Sequence, residues 1–118
     1  MTDNTAFDAS FARLLRLAQA RDLPGLESST SYDTPALKVD GATFVRLLDA
    51  ATAVLQCPVD QKVLLMEISP RIYFETEHYV GYDAMLIHLD QIDDEELSLR
   101  LHDAWLFKAP ERLKAGRR

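Results

Sequence analysis

The stretch KVDGATFVRLLDAATAVLQC, Lys38 to Cys57, decides how the chain is read. Phe44, Leu47, Leu48, Ala51 and Leu55 would line one face of a helix, yet the same residues also fit two short strands. Asp40-Gly41 breaks the tie. It separates two alternating runs, and both central positions of a type I′ turn require positive φ, which glycine takes freely and aspartate tolerates. A hairpin at Asp40-Gly41 makes Phe44 to Leu47 extended. The run after it is β-rich at Thr52 and Val54, so the reading is two strands broken near Asp49-Ala50.

Working outward, TPALKV (Thr34 to Val39) is the first arm of the hairpin, and ESSTSY (Glu27 to Tyr32) before it is hydroxyl-rich and β-permissive. Upstream, Phe7, Phe11, Leu14, Leu15 and Ala18 recur at helical spacing with Thr5 as N-cap, and Leu23-Pro24-Gly25 ends that helix. Downstream, Pro58 suits a first helical turn, and VDQKVLLMEIS continues the helix until Pro70 stops it. AMLIHLD (Ala84 to Asp90) reads as a strand with His88 exposed or at an edge. In the last helix, acids at Asp93 to Glu96 suit the positive end of the dipole, and Asp93 with Glu96 resembles a capping box. Leu97, Leu101, Ala104 and Trp105 form its buried stripe, and Pro110 closes it.

The order is helix, three or four antiparallel strands, helix, one or two strands, helix. It predicts a two-layer α+β sandwich with three helices packed on one face of a mainly antiparallel sheet. With 118 residues and 47% hydrophobic content, residues 1–118 form one domain that needs no staple. The single cysteine, Cys57, lies in an apolar run and reads as a buried small hydrophobe. The start, MTDNTAFDAS, has acid where a signal peptide would have basic charge, and nowhere do about 18 apolar residues run together. A cytoplasmic location without membrane contact is the expectation.

Net charge is −6, unevenly spread. Lys108, Arg112, Lys114, Arg117 and Arg118 against Glu111 give the last eleven residues +4, which leaves −10 on the first 107. An acidic body disfavours non-specific contact with phosphate backbones, whereas a basic tail over residues 108–118 can still reach one.

The densest group of functional side chains is FETEHYVGY, Phe74 to Tyr82. Read locally, it connects the middle helix to the strand at Ala84, with Gly81 permitting a bend and the aromatics at the rim. Glu75 and Glu77, two residues apart in an extended segment, would share a solvated face. Glu75, His78, Tyr79 and Tyr82 are the candidates for a pocket or rim. The separations of His78, His88 and His102 match no short zinc-ligand pair, so no metal and no cofactor is expected. Ser28, Ser29 and Ser31 lack a nucleophile elbow and an identifiable base, and the four glycines are isolated turn residues, so no catalytic constellation is predicted. Lys38 and Arg46 on the hairpin, Arg71 beside Tyr73, and Arg112, Lys114, Arg117 and Arg118 in the tail are the candidates for phosphate contact. Tyr32, Tyr73, Tyr79 and Tyr82 could stack on a base or flat ligand, although a tyrosine packed at a core edge with its hydroxyl in water is the commoner arrangement.

Four segments in order, LPGLESSTSYDTPALKVDGATFVRL, PVDQKVLLMEISP, YFETEHYVGYDAMLIHLD and EELSLRLHDAWLFKAPERL, together resemble the MmcQ/YjbR family of small bacterial proteins over about residues 10–113. The likeness lies in Glu27-Ser28, in T-P-A-L-K-V-x-G at Thr34 to Gly41, in H-Y-x-G-Y at His78 to Tyr82, and in A-W-x-x-x-A-P at Ala104 to Pro110. The chain departs at Asp49-Ala50-Ala51, where relatives commonly have a glycine-containing turn. The resemblance implies an α+β fold grouped with secretion-chaperone-like domains, and a likeness to a double-wing DNA-binding domain. It attaches no catalytic residue. The leading expectation is a non-enzymatic binding module with DNA as partner. The alternatives are a protein or peptide adaptor, monomeric or homodimeric, and a small-ligand pocket around Glu75, His78 and Tyr82.

Overall fold

The computed structural model describes residues 5–114. Arg117 and Arg118 lie outside the described residues. Helix α1 (Thr5–Ala20) leads into strands β1 (Leu26–Ser31), β2 (Thr34–Val39), β3 (Ala42–Asp49) and β4 (Thr52–Gln56). Helix α2 (Val59–Ile68), a two-residue strand β5 (Tyr73–Phe74), a 3₁₀ turn (Glu77–Tyr79) and strand β6 (Ala84–His88) follow. Helix α3 (Asp94–Lys108) and a single turn, α4 (Glu111–Lys114), complete the order. The strands form one antiparallel sheet in the order β1-β2-β3-β4-β6-β5. This is the expected two-layer α+β arrangement, with α4 as a short addition to the three longer helices.

The hairpin forms as its sequence requires: Asp40 has φ 50° and Gly41 φ 80°, both left-handed. The break between β3 and β4 lacks glycine, and its turn is made differently. The Asp49 carboxylate accepts the Ala51 N–H at 2.8 Å, an Asx-type bond, and the Ser10 hydroxyl of α1 donates to the Ala50 carbonyl. The ladder shifts register on both sides of β3, leaving Phe44 and Leu48 opposite no partner residue.

Alternation divides the sheet into two faces. On one, Val45, Leu55 and Met85 form a cross-strand row, next to Ala53, Ile87 and Tyr73. Leu14, Leu17 and Ala18 of α1 and the stripe Leu97, Leu101, Ala104 and Trp105 of α3 bury this face completely. Each such leucine contributes about 2 kcal/mol by leaving water. Directional bonds fix the layers. The Trp105 Nε1–H donates to the Pro24 carbonyl at 2.9 Å, and Asp93 caps α3 by accepting from Glu96 N at 2.8 Å. Arg13 donates to Asp94 and to the carbonyls of Leu89 and Ile92, and this bonding holds the Asp94 carboxyl below its usual range.

The capping box is half made. The Glu96 carboxylate, instead of returning to the Asp93 N–H, accepts the hydroxyl of Tyr73, which is buried at the far edge of the sheet. That edge corrects one expectation: Phe74, read as the start of the connector, belongs with Tyr73 to an edge strand paired with Leu86 and Ile87, the second of the one or two strands expected after the middle helix. Among the described residues no helix is long and apolar enough to cross a membrane.

Candidate functional site

The second face of the sheet carries the row Arg46, Val54, Leu86 and Phe74 across β3, β4, β6 and β5. No helix covers it. The segment that follows β5 folds back over it, so that Val54, Ala84 and Leu86 are buried beneath Phe74 and Tyr79. Beside this small cluster the face stays open as a cleft of 790 Å³, within the range of ordinary ligand pockets. Its walls are Tyr32 from the β1–β2 turn and His78, Tyr79 and Tyr82 from the 3₁₀ segment, with Thr34, Leu48, Val54 and Gln56 below.

Arg46 stands on the floor. Its guanidinium donates to the Tyr79 hydroxyl at 2.9 Å and lies 5.1 Å from the centroid of the Tyr32 ring, a cation–π arrangement. Weaker contacts run to Thr34 Oγ1 at 3.5 Å and the Leu47 carbonyl at 3.4 Å. All these partners are neutral. The carboxylate in the lining, Asp83, accepts the Val59 N–H at 3.0 Å at the start of α2. A second hollow of 290 Å³ shares Tyr32, Arg46, Val54 and Gln56 with the cleft and extends it towards Lys108.

The wall is held from behind by a residue that sequence reading missed. Lys62 of α2 is 1% exposed, and its ammonium donates to the carbonyls of Tyr79 at 3.0 Å and Tyr82 at 2.7 Å. The third direction is taken by Glu75, whose carboxylate lies 2.7 Å away. Two donors thus meet backbone carbonyls, and the Glu75 carboxylate supplies the counter-charge at close range without hydrogen-bond alignment, so the buried ammonium is paired. The period on α2 is inverted, with Lys62 buried and Val63, Leu64 and Ile68 exposed, so an apolar stripe could not point to it.

Of the pocket candidates, His78, Tyr79 and Tyr82 come together in the cleft, whereas Glu75 is turned to Lys62. Glu75 and Glu77 do not share a face, because extended backbone ends at Phe74 and Glu77 begins the 3₁₀ turn. His78 packs edge-on against Tyr79 at 4.8 Å. His88 is half-buried and stacks on Phe74 at 4.0 Å, and His102 sits beside Trp105 on α3, so the histidines do not converge. Among the described residues no three His, Cys, Asp or Glu side chains are placed to share a metal ion.

The phosphate-contact candidates are dispersed. Lys38 is opposite Glu27 and Thr43 on neighbouring strands. Arg71 precedes the other edge of the sheet and donates to Gln91 at 3.2 Å. Arg112 pairs with Asp40 at 2.9 Å and Lys114 with Glu111 at 3.5 Å. Cys57 is buried and free, and loss of hydration pushes its thiol from 9.0 up to about 11.

Over 52 residues, 44% of its length, the chain is 38% identical to uncharacterised proteins of Mycobacterium bovis and Mycobacterium tuberculosis. The match spans 40% of the length of these relatives. No family model matches the chain, and no solved structure matches it.

Proposed function

We propose that this chain is a non-enzymatic binding module of the cytoplasm whose site is the cleft on the open sheet face. The observation that carries the reading is Arg46: a guanidinium on the floor of an aromatic-walled cleft, with only neutral partners, in a chain of net charge −6. The wall is fixed by Lys62 before any ligand arrives, which lowers the ordering cost of binding. Against catalysis by the one thiol stands the burial of Cys57, which pushes its pKa up to about 11 and keeps it protonated. The test is a fragment library titrated into isotope-labelled protein. Amide shifts should cluster at Arg46 and residues 78–83, and hits that map reproducibly elsewhere would remove the cleft as the site.

Membership of the MmcQ/YjbR family is proposed on the ordered segments from Glu27 to Pro110. The DNA-binding reading attached to that resemblance draws less support from the geometry, because Arg71, Arg112 and Lys114 lie away from Arg46 and two of them are paired with carboxylates. Fluorescence polarization with duplex and single-stranded DNA at low salt decides it, since phosphate contacts must weaken steeply as salt rises.

A protein or peptide adaptor is the second reading, and β1 is the observation that favours it. This strand pairs on one side only, and four of its six residues are exposed, so its free edge can accept an extended peptide. A defined partner whose binding is lost when proline replaces Ser29 would support it; binding indifferent to that change would not.

A further inference from the structure

We infer that the cleft takes a planar aromatic ring carrying an anionic group, a carboxylate or a phosphate, an inference that rests on the reading of the cleft as the binding site. The chemistry follows from what Arg46 has and lacks. A guanidinium has five N–H donors, and here one acceptor, the Tyr79 hydroxyl, is at full hydrogen-bond distance. Other arginines of this acidic chain meet carboxylates: Arg13 and Arg16 reach Asp94, Arg100 reaches Asp103 and Arg112 reaches Asp40. Among the described residues no carboxylate lies within ion-pairing distance of Arg46.

A half-buried cation without a counter-charge favours an anion that brings its own, and the planar fork suits two-point contact with a carboxylate or phosphate. Lys108 borders the hollow that continues the cleft, while the carboxylate in the cleft lining, Asp83, is taken up by the Val59 N–H at the start of α2. The flat component follows from the walls. Tyr32 is 84% exposed and Tyr82 64% exposed; Arg46 lies over one face of the Tyr32 ring and His78 stacks with Tyr82 at 6.4 Å, and both rings still present aromatic surface at the cleft mouth. At 790 Å³ the cleft has room for a ring and its anionic substituent together.

The experiment uses matched probes on the full chain, followed by amide shifts and affinity: adenosine 5′-monophosphate against adenosine, indole-3-acetate against indole, and inorganic phosphate and acetate as anions without rings. The ring-plus-anion member of at least one pair should bind about tenfold or more tighter than its neutral partner and than the bare anion, as expected for a charge-assisted contact. Which pair shows the larger ratio separates a phosphate source from a carboxylate source. Arg46→Gln should abolish the ratio, Arg46→Lys should keep only the part that charge alone supplies and lose the two-point contact, and Tyr32→Ala should weaken the charged probes about threefold. Neutral rings that bind in the cleft as well as their charged partners, or an R46Q protein of unchanged melting temperature that keeps the ratio, would overturn the inference while leaving the cleft as the site. Probes that shift amides only outside the cleft would overturn both. Absence of binding by every charged ring at millimolar concentration, with other fragments bound in the cleft, would overturn the ligand class alone. A single-stranded oligonucleotide bound at least a hundredfold tighter than the mononucleotide would make a polymer the occupant and would also overturn it.

Discussion

Lys62 and Glu75 meet at 2.7 Å beneath the turn that carries Tyr79 and Tyr82, with the lysine 2% and the glutamate 22% exposed at the side chain. The pair ties α2 to the residue after β5, while the other two donors of the ammonium hold the backbone of the cleft wall. Removing the lysine leaves the Glu75 carboxylate largely buried without its counter-charge and two carbonyls without their donor. Lys62→Met should therefore destabilise the protein by about 3 kcal/mol in urea unfolding, the size seen when a buried pair loses one partner. Hydrogen exchange of the amides of residues 77–82 should accelerate more than that of β3 and β4. The double variant K62M/E75Q should recover part of the loss. Unchanged protection of residues 77–82 in K62M would mean that the wall stands without its strut.

Two glycines with the same backbone should differ in tolerance. Gly41 has φ +80° with nothing within 4 Å of a built Cβ, so Gly41→Ala bears the backbone term alone, about 1 kcal/mol. Gly25 has φ +73°, and its Cβ would come within 3.0 Å of Leu113 Cδ1 and 3.5 Å of Val39 Cγ2. Gly25→Ala should cost more than Gly41→Ala and should shift the side-chain signals of Leu113. Equal costs in thermal unfolding would show that the Leu113 side chain yields freely.

The difference between what local reading reached and what it missed follows the range of the interactions. Asp40-Gly41 and the stripe Leu97, Leu101, Ala104 and Trp105 were legible because turn dihedrals and helical period are local. The cleft was legible in part. His78, Tyr79 and Tyr82 stand within five residues of one another, but Tyr32 joins them because the β1–β2 turn and the β2–β3 register bring it to Arg46. Lys62 was not legible, since its acceptors lie 17 and 20 residues away and its own helix exposes the apolar neighbours Val63 and Leu64. Tyr73 was hidden for a similar reason. A two-residue strand leaves no period to detect, and its hydroxyl meets a glutamate 23 residues away that the local rule had assigned to a capping box.

That hydroxyl makes a separate prediction. Tyr73 is 1% exposed and donates to Glu96, so the carboxylate both receives a buried donor and stands in the first turn of α3. Tyr73→Phe preserves the ring and deletes the donor, which should cost about 1–2 kcal/mol through the carboxylate left without it. If the phenylalanine protein also carries Glu96→Gln, the penalty should fall, because a neutral amide loses less when the partner goes. Additive losses in the double-mutant cycle would show that the two groups are not coupled.

Cys57 makes the stability depend on alkaline pH in a direction fixed by its burial. The thiol is 3% exposed, and desolvation raises it from 9.0 to about 11, with Asp103 and Asp83 adding to the rise and Arg100 and Lys62 opposing it. Above pH 9 the unfolded chain releases the thiol proton while the folded chain keeps it until about pH 11. The unfolded state then binds fewer protons, so stability falls as pH rises through this window. Two units correspond to about 2 to 3 kcal/mol. The raised tyrosine, Tyr73, contributes in the same direction through burial and its bond to Glu96, so the wild-type slope alone does not isolate the thiol. Cys57→Ala does: it removes a pH-independent packing contribution and the thiol's titration together. The difference in unfolding free energy between wild type and C57A should be constant up to pH 8 and shrink by about 2 kcal/mol between pH 9 and pH 11. A parallel check is alkylation by iodoacetamide, which should be slow at pH 8 in the folded protein and fast in urea, because the thiolate is the reactive form. A difference that stays flat to pH 11, with rapid alkylation of the native protein, would mean that water reaches the thiol behind β4.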